Sequence, residues 1–159
     1  QVVANLPYNV ATPLLIGWLR QGTAWDRLTL MFQWEVAERI CAAPDSDHYG
    51  RLAVLSQWCA DCAVVMKLPP GAFTPPPAVW SAVASITPHR NQPSPALFKA
   101  MDRVTAAACG QRRKMLRGSL KSLNGEKLLA ATNIDGTRRA ETLSIAEFDQ
   151  LAQAHLALG

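Results

Sequence analysis

The sequence contains no long hydrophobic run. Predominantly apolar stretches, such as residues 2–4 and 28–32, fall far short of the roughly 20 residues that a helix needs to cross a bilayer. No targeting segment is visible either, and the first residue is Gln1 rather than methionine. We therefore expect a chain that does not associate with membranes and whose natural start lies upstream of Gln1.

Cysteine is scarce as well, with four residues in a chain of 159. Cys59 and Cys62 have the spacing of half a zinc site, but the other half is missing. Cys41 and Cys109 are isolated, and the three histidines have no spacing typical of metal ligands. The pattern predicts no metal site, and small buried or half-buried thiols in a reducing compartment such as the cytoplasm.

Acidic residues are absent from residues 103–125, in a chain whose formal net charge is +4. This stretch contains the sequence QRRKMLRGSLKSL, in which Leu116, Leu120 and Leu123 recur at helical spacing. A different face of the same segment carries five cations, which are Arg112, Arg113, Lys114, Arg117 and Lys121. We predict a helix over residues 112–121 with one packed face and one cationic face.

Two interpretations of this cationic face remain open. It is either a solvated helix face or a surface that contacts nucleic-acid phosphates, where each Lys or Arg displaces a condensed counterion. The net charge alone is weak evidence for an anionic partner. The lack of acidic side chains at i+4 spacing means that the cations have no local ion-pair partners.

The pattern of elements changes near residue 88. Up to that point short apolar strands alternate with helix-like segments, which is typical of an α/β sheet. The predicted strands are 2–4, 28–33, 63–68 and 79–87, and the predicted helices are 14–19, 35–42 and 51–58. The last two strands have no helix between them, so we expect them to pair antiparallel at the sheet's edge.

Beyond a polar linker at residues 89–95, the chain is predicted to be helical. Ser144 and Glu147 have the spacing of a capping box, which predicts a last helix through Phe148 and Leu151 to about residue 156. We therefore predict two domains, an α/β unit at residues 1–88 and a helical unit at residues 89–159.

The first predicted strand ends in Asn5-Leu6-Pro7-Tyr8, where an ordinary turn would use Gly, Ser or Asp. At the carboxyl edge of a parallel sheet, these residues lie in the crevice where such folds bind ligands. The tetrapeptide resembles the [DNS]-[PIL]-P-[YFW] signature of methyltransferases that modify exocyclic amino groups of bases. That resemblance implies that the target amine donates to the Asn5 side-chain oxygen and the Leu6 carbonyl. It also implies that Pro7 holds this carbonyl and that Tyr8 stacks on the base.

Longer blocks extend the resemblance over nearly the whole chain. FQWEVAERICAAPDSDHYGRLAVLSQW, PPGAFTPPPAVWSAV and QRRKMLRGSLKSL are similar, in order and separation, to blocks of the ribosomal small-subunit RNA adenine dimethyltransferases of the KsgA type. The basic run and the ending RAETLSIAEF favour this family over the related erythromycin-resistance methylases. The resemblance implies the C-terminal part of a Rossmann-like class I methyltransferase sheet, followed by a small all-α RNA-binding domain.

The resemblance also implies a function and further site residues. It implies S-adenosylmethionine-dependent N6-dimethylation of adenosines in 16S ribosomal RNA, by a cytoplasmic monomer that acts on the small ribosomal subunit. Asn5 would also contact the cofactor, and Phe73 matches an aromatic of a second active-site loop, with a core aromatic as the alternative. Arg51 matches an RNA-facing block, with packing at a helix start as the alternative. The cations of residues 112–121 would help to grip the RNA.

Two features of the sequence depart from this family. Ala78 and Trp80 stand where the family commonly has Lys and an acidic residue, which puts an RNA contact at residue 78 in doubt and indicates repacking around Trp80. No G-x-G occurs anywhere, so the glycine-rich loop that holds the cofactor is absent from this sequence. We therefore expect these 159 residues alone to be inactive. Two other functions stay open: a non-catalytic RNA-binding ribosome assembly factor, and an adenine-N6 methylase that acts on 23S RNA or DNA.

Overall fold

The computed structural model describes residues 1–22 and 24–159, and at Tyr8 it describes the main chain only. Eleven α-helices and β-strands are described, together with three short 3-10 turns. In chain order they are β1 (Val2–Asn5), α1 (Tyr8–Arg20), β2 (Leu28–Gln33), α2 (Trp34–Ile40), α3 (Arg51–Cys59), β3 (Ala60–Leu68), β4 (Ser81–Pro88), α4 (Pro95–Gly110), α5 (Leu116–Ser119), α6 (Gly125–Thr132) and α7 (Ile145–Leu158). All four predicted strands and the three predicted helices of the first 88 residues are present. The mixed α/β fold class is confirmed.

The four strands form one sheet in the order β1-β2-β4-β3. β1 and β2 are parallel, whereas β4 is antiparallel to both of its neighbours. The expected antiparallel pairing of the last two strands is confirmed, with β3 as the outermost strand. As a result, β1, β2 and β3 end and β4 begins at one edge of the sheet, which we call the carboxyl edge.

In the two central strands, β2 and β4, one face of the sheet is buried and the other is only half-buried. Leu28, Leu30 and Phe32 of β2 alternate with partly exposed residues, and the same alternation recurs in β4. This period of two is that of a sheet with one face toward the core. α2 packs across β2, β4 and β3, and α3 packs against α2. On β1, the outer strand opposite β3, the Val3 side chain is 71% exposed.

Two of the later helices begin at polar caps. The Ser94 hydroxyl accepts a hydrogen bond from the Leu97 N–H at 3.1 Å, and Pro95 occupies the first turn of α4, which therefore includes the last residue of the predicted linker. The predicted capping box of α7 is confirmed. The Ser144 hydroxyl accepts from the Glu147 N–H at 3.1 Å, while the Glu147 carboxylate accepts from the Ser144 N–H at 3.0 Å. Both caps satisfy N–H groups that a helix start leaves unpaired.

The predicted helix over residues 112–121 is wrong. Residues 111–114 form turns, Met115 is extended and bridges to Arg139, and only Leu116–Ser119 is α-helical. The Leu116 N–H donates to the Arg138 carbonyl at 2.8 Å. The main chain therefore pairs with a distant segment at the point where a continuous helix would need hydrogen bonds to residues four positions earlier.

The apolar stripe of this segment is nevertheless packed as expected. Leu116 and Leu120 are fully buried, and Leu123 is partly buried against the same core. The 3-10 turn Lys121–Leu123 then ends at Asn124, whose φ of 60° is left-handed. Burial of two of the three leucines therefore needs no regular helix, because a short helix and a turn place them equally well.

The sheet and the later helices share one buried apolar cluster. Trp58 of α3 donates its indole N–H to the Asp149 carboxylate of α7 at 3.0 Å, and its ring lies 6.0 Å from the Phe98 ring of α4. The change from a sheet to helices near residue 88 agrees with the sequence pattern, whereas the division into domains 1–88 and 89–159 stays a prediction.

The four thiols are free, and Cys59 is fully buried. Burial raises the pKa of Cys59 and of Cys62 to about 12 each, so both stay protonated at neutral pH. Within residues 1–22 and 24–159, no group of three His, Cys, Asp or Glu side chains is placed to hold a metal ion. No helix in this described part is long and apolar enough to cross a membrane.

Candidate functional site

Three segments meet at the carboxyl edge of the sheet. The Asn5-Leu6-Pro7-Tyr8 tetrapeptide follows β1, Trp34 follows β2, and residues 69–80 connect β3 to β4. The registers fix this arrangement, because Asn5 pairs with Met31, while Gln33 and Leu68 both pair with Ser81. This is the edge at which open α/β sheets bind their ligands.

The tetrapeptide presents two oxygen acceptors. Asn5 is the last residue of β1 and is exposed, and in the described structure nothing donates to its side chain. The Leu6 side chain is 9% exposed and fixes the turn to the core. Among the described groups, none donates to the Leu6 carbonyl. Two adjacent acceptors without donors are what an amine with two protons requires.

Pro7 connects this turn to α1. Its φ of −56° and ψ of 135° are those of extended backbone, and its carbonyl accepts from the Val10 N–H at 3.1 Å. Proline has a fixed φ and no N–H group, so the turn is stiff and cannot bond to its own acceptors. The Tyr8 main chain begins α1, whereas the stacking predicted for the Tyr8 ring lies outside the described groups.

Phe73 lies on the segment between β3 and β4. A 3-10 turn at Pro70–Ala72 precedes it, and the Phe73 N–H donates to the Pro70 carbonyl at 3.2 Å. Its side chain is half-buried rather than in the core. The structure thus brings the segment of Phe73 to the same edge as Asn5, and contact of its ring with a target base stays a prediction.

Arg51 begins α3 and is paired within the protein. Its Nε donates to the Asp102 carboxylate of α4 at 2.9 Å, and Arg20 approaches the same carboxylate at 3.4 Å. These contacts agree with the second interpretation of Arg51, in which its side chain packs within the protein at the start of a helix. Arg51 and Arg112 also line one cavity of about 350 Å³, between the start of α3 and the end of α4. A phosphate contact by Arg51 stays a prediction.

The cations of residues 112–121 fall into two groups. Arg112 donates to the Glu141 carboxylate at 3.2 Å and to the Ser46 carbonyl at 3.1 Å. The other four are exposed, and in the described parts of the chain none of them forms an ion pair. These four are Arg113, Lys114, Arg117 and Lys121. We call them the basic segment, and their charges remain available to an external anion.

The sequence did not predict that Trp34, Lys67 and Trp80 come together at the carboxyl edge. The Lys67 amine lies 4.2 Å from the centre of the Trp34 ring and 5.0 Å from that of Trp80. The main-chain N–H of Trp34 donates to the Trp80 carbonyl at 2.9 Å, which holds the two tryptophans together. The unusual Trp80 was the signal in the sequence, but its neighbours come from distant segments, Trp34 from the start of α2 and Lys67 from β3.

The mixed sheet, the asparagine at its carboxyl edge and the basic helical part agree with the family resemblance drawn from the sequence. The sequence profile of one family, described as "Ribosomal RNA adenine dimethylase", matches residues 1–155. The chain belongs to this family.

Curated relatives agree with this assignment. The chain is 70% identical over 157 residues to "Ribosomal RNA small subunit methyltransferase A" of Gluconobacter oxydans, which covers 99% of the chain and 52% of the relative. It is 57% identical over 159 residues to the protein of the same name in Brucella canis, covering 98% of the chain and 57% of the relative. The chain thus spans about half the length of the curated relatives that it matches.

Two solved structures have the same fold. A dimethyladenosine transferase from Plasmodium falciparum superposes with a TM-score of 0.80 at 22% identity, covering 94% of this chain and 65% of that one. The 23S rRNA methyltransferase ErmE superposes with a TM-score of 0.63 at 18% identity, covering 96% and 63%. At these identities the comparison shows the fold, and the C-terminal part of a Rossmann-like methyltransferase sheet is confirmed.

Proposed function

We propose that this chain is the acceptor-binding part of an S-adenosylmethionine-dependent enzyme that dimethylates the N6 amine of adenosines in small-subunit ribosomal RNA. The observation that carries the proposal is the pair of acceptors on Asn5 and Leu6, which have no described donors at the carboxyl edge. The names of the curated relatives support the small subunit as the source of the RNA.

The two acceptors act on a weak nucleophile. The lone pair of the adenine N6 amine is delocalised into the ring, so the amine attacks poorly when it is planar. Hydrogen bonds from its two protons to the Asn5 Oδ1 and the Leu6 carbonyl favour a pyramidal nitrogen. They also stabilise the positive charge that develops on the nitrogen as it gains a methyl group. The stiff Pro7 keeps the Leu6 carbonyl in place while this happens.

The cofactor of this proposal is S-adenosylmethionine, which supplies an electrophilic methyl group when it is bound. Asn5 fits a role beside it, since this exposed amide at the carboxyl edge has donor as well as acceptor atoms. The rest of the cofactor site requires residues outside this sequence. The outer edge of β1, which pairs only with β2 in the described sheet, is where further strands of the sheet would add.

The RNA is held by charge as well as by the tetrapeptide. We propose that the basic segment contacts phosphates of 16S RNA within the small subunit, with each cation releasing a counterion. Four exposed cations, none of which forms an ion pair in the described parts of the chain, support this role. The protein acts as a monomer in the cytoplasm, where the ribosomal subunits and the reduced thiols of this chain belong.

The first experiment is the intact mass of the protein purified from its source. A mass of roughly 30 kDa follows if the 17.3 kDa of this sequence is 57% of the whole, as in the Brucella canis comparison. That protein is then tested for methyl transfer to undermethylated small subunits, and the modified nucleotide is mapped. A natural protein of 17.3 kDa that binds no S-adenosylmethionine would contradict the enzymatic proposal.

Asn5→Ala is the decisive variant. We expect it to lower methyl transfer by about 10² to 10³, the cost of one preorganised transition-state hydrogen bond, with unchanged binding of the subunit. Asn9→Ala is the matched control, because Asn9 is an exposed asparagine on the first turn of α1. Equal methyl transfer by the two variants would contradict the catalytic role of Asn5. A wild-type protein that binds the subunit but transfers no methyl group would favour the non-catalytic assembly factor, and methylation mapped to 23S RNA or DNA would favour the other methylases.

A further inference from the structure

Trp34, Lys67 and Trp80 form a cluster at the carboxyl edge. The Lys67 amine lies within 5.0 Å of the centres of both rings, and a main-chain hydrogen bond of 2.9 Å joins the two tryptophans. This arrangement is a cation–π cluster, in which each ring face attracts the ammonium group. The cluster therefore fixes an aromatic surface and a positive charge at one point of the sheet.

The aromatic surface of this cluster is open to solvent. The Trp80 side chain is 46% exposed, and Val79 beside it is 45% exposed. Within the described chain, no carboxylate forms an ion pair with Lys67, so its charge is not neutralised locally. A large exposed aromatic beside an uncompensated cation is the combination that single-stranded nucleic acids bind, through base stacking and phosphate attraction.

The cluster lies close to the tetrapeptide. Trp80 directly precedes Ser81, which pairs with Gln33, and β2 is the only strand between β4 and β1 in the described sheet. Two strand spacings of about 4.8 Å, combined with an offset of two residues along the strands, place the start of β4 roughly 12 Å from the end of β1. An RNA strand with one adenosine at Asn5 can therefore place a nearby nucleotide against Trp80.

We propose that Trp80 and Lys67 form a stacking site for an unpaired nucleotide that flanks the target adenosine. The base stacks on the exposed part of the Trp80 ring, and Lys67 attracts the adjoining phosphate. Trp34, whose ring centre lies 4.2 Å from the Lys67 amine, positions Lys67. This inference rests on the proposed RNA-modifying function, and it adds a site for the neighbour of the modified base.

Three variants of the purified protein test the site, with a fluorescein-labelled oligoadenylate of roughly 10 nucleotides as the probe. Trp80→Leu keeps an apolar side chain without an aromatic face, and we expect it to weaken binding roughly 5- to 100-fold. Trp80→Phe keeps a ring and should bind within about threefold of the wild type. Val79→Ala is the control, since it removes exposed apolar area without removing a ring.

Tryptophan fluorescence gives a second readout that a purely structural role would not change. Stacking of adenine on Trp80 quenches its emission, so the wild type should lose more fluorescence on saturation with the probe than Trp80→Phe does. This comparison keeps the inference testable even if Trp80→Leu fails to fold. Equal quenching in the two proteins would contradict stacking on Trp80.

A variant of the basic segment separates this inference from the proposed function. Arg113→Gln removes one cation of the basic segment and should weaken binding without changing the quenching at saturation. The stacking site would be overturned if the Trp80 variants bind the probe and lose fluorescence as the wild type does, while Arg113→Gln binds more weakly. That result would leave the RNA-binding function intact. A wild-type protein that binds no RNA would overturn both.

Discussion

The Tyr49 hydroxyl donates to the Leu143 carbonyl at 2.7 Å, across 94 residues of sequence. Both residues are buried, with Tyr49 2% and Leu143 0% exposed. Tyr49 lies just before α3 and Leu143 just before α7, so the bond joins the α/β part to the helical part. Burial is the main cause that raises the pKa of Tyr49, so the phenol stays protonated and donates at neutral pH.

Tyr49→Phe should destabilise the fold by about 1–3 kcal/mol, because it leaves a buried carbonyl without a donor. Urea denaturation gives the free energy of unfolding directly. Ser46→Ala is the control, since it removes an exposed hydroxyl that donates to the Ala43 carbonyl, and it should change stability by less than about 0.5 kcal/mol. If the two variants lower the free energy of unfolding equally, the buried bond to Leu143 contributes no more than an exposed hydrogen bond.

The bond between Tyr49 and Leu143 is a kind of contact that the sequence alone did not predict. Local patterns predicted β2 at residues 28–33 and the capping box of Ser144 and Glu147, because strand periodicity and caps depend on neighbours within four residues. The bonds of Tyr49 to Leu143 and of Arg112 to Glu141 depend on residues that only the fold brings together. No local spacing encodes them.

The same reasoning explains the incorrect helix at residues 112–121. Leucine and cation spacing favoured a helix locally, but Met115 pairs with Arg139 and takes the chain into an extended conformation. Tertiary pairing overrode local propensity there. At the candidate site the tetrapeptide could be identified by its resemblance to a methyltransferase signature, whereas the contact of Lys67 with two tryptophans required the strand order.

Gly125 is a position where any side chain would collide with its surroundings. A Cβ added there would lie 2.9 Å from both the Leu120 Cβ and the Leu120 carbonyl oxygen. Gly125→Ala should therefore destabilise the protein by about 1–3 kcal/mol through overpacking. The free energy of unfolding in urea again provides the measurement.

Gly118→Ala is the matched control for this substitution. Its added Cβ meets nothing closer than 3.8 Å, and Gly118 lies within α5. Since alanine is favoured over glycine in helices, we expect unchanged stability or a gain of up to about 1 kcal/mol. A Gly125→Ala protein as stable as Gly118→Ala would show that Leu120 moves aside at no cost.

Glu147 stabilises the start of α7 in a pH-dependent way. The hydrogen bonds from Arg138 are the largest cause that lowers the pKa of Glu147, and the Ser144 N–H adds to the effect. A carboxyl whose pKa is lowered by folding contributes stability that is fully present above its unfolded pKa of about 4.3. This contribution is lost as the pH falls through the lower pKa of the folded state.

Glu147→Gln should therefore lower the melting temperature at pH 7 and have a progressively smaller effect below about pH 4. Thermal unfolding followed by circular dichroism at several pH values measures both. Glu126→Gln provides the comparison, because Glu126 is an exposed glutamate in the first turn of α6 without a described ion-pair partner. A stability difference between wild type and Glu147→Gln that is constant from pH 7 to about pH 3 would contradict the assignment.

The basic segment should determine the salt dependence of RNA binding. Each phosphate contact contributes about 0.7–0.9 to the slope of log affinity against log salt concentration, so Arg113→Gln or Arg117→Gln should reduce the slope by about that amount. Arg90→Gln removes the same charge beyond the end of β4, away from the carboxyl edge, and should leave the slope unchanged. Arg112→Gln should affect stability more than the slope, because Arg112 is bonded to Glu141 and Ser46. If Arg90→Gln and Arg113→Gln reduce the slope equally, the RNA responds to net charge alone, and the basic segment has no specific role.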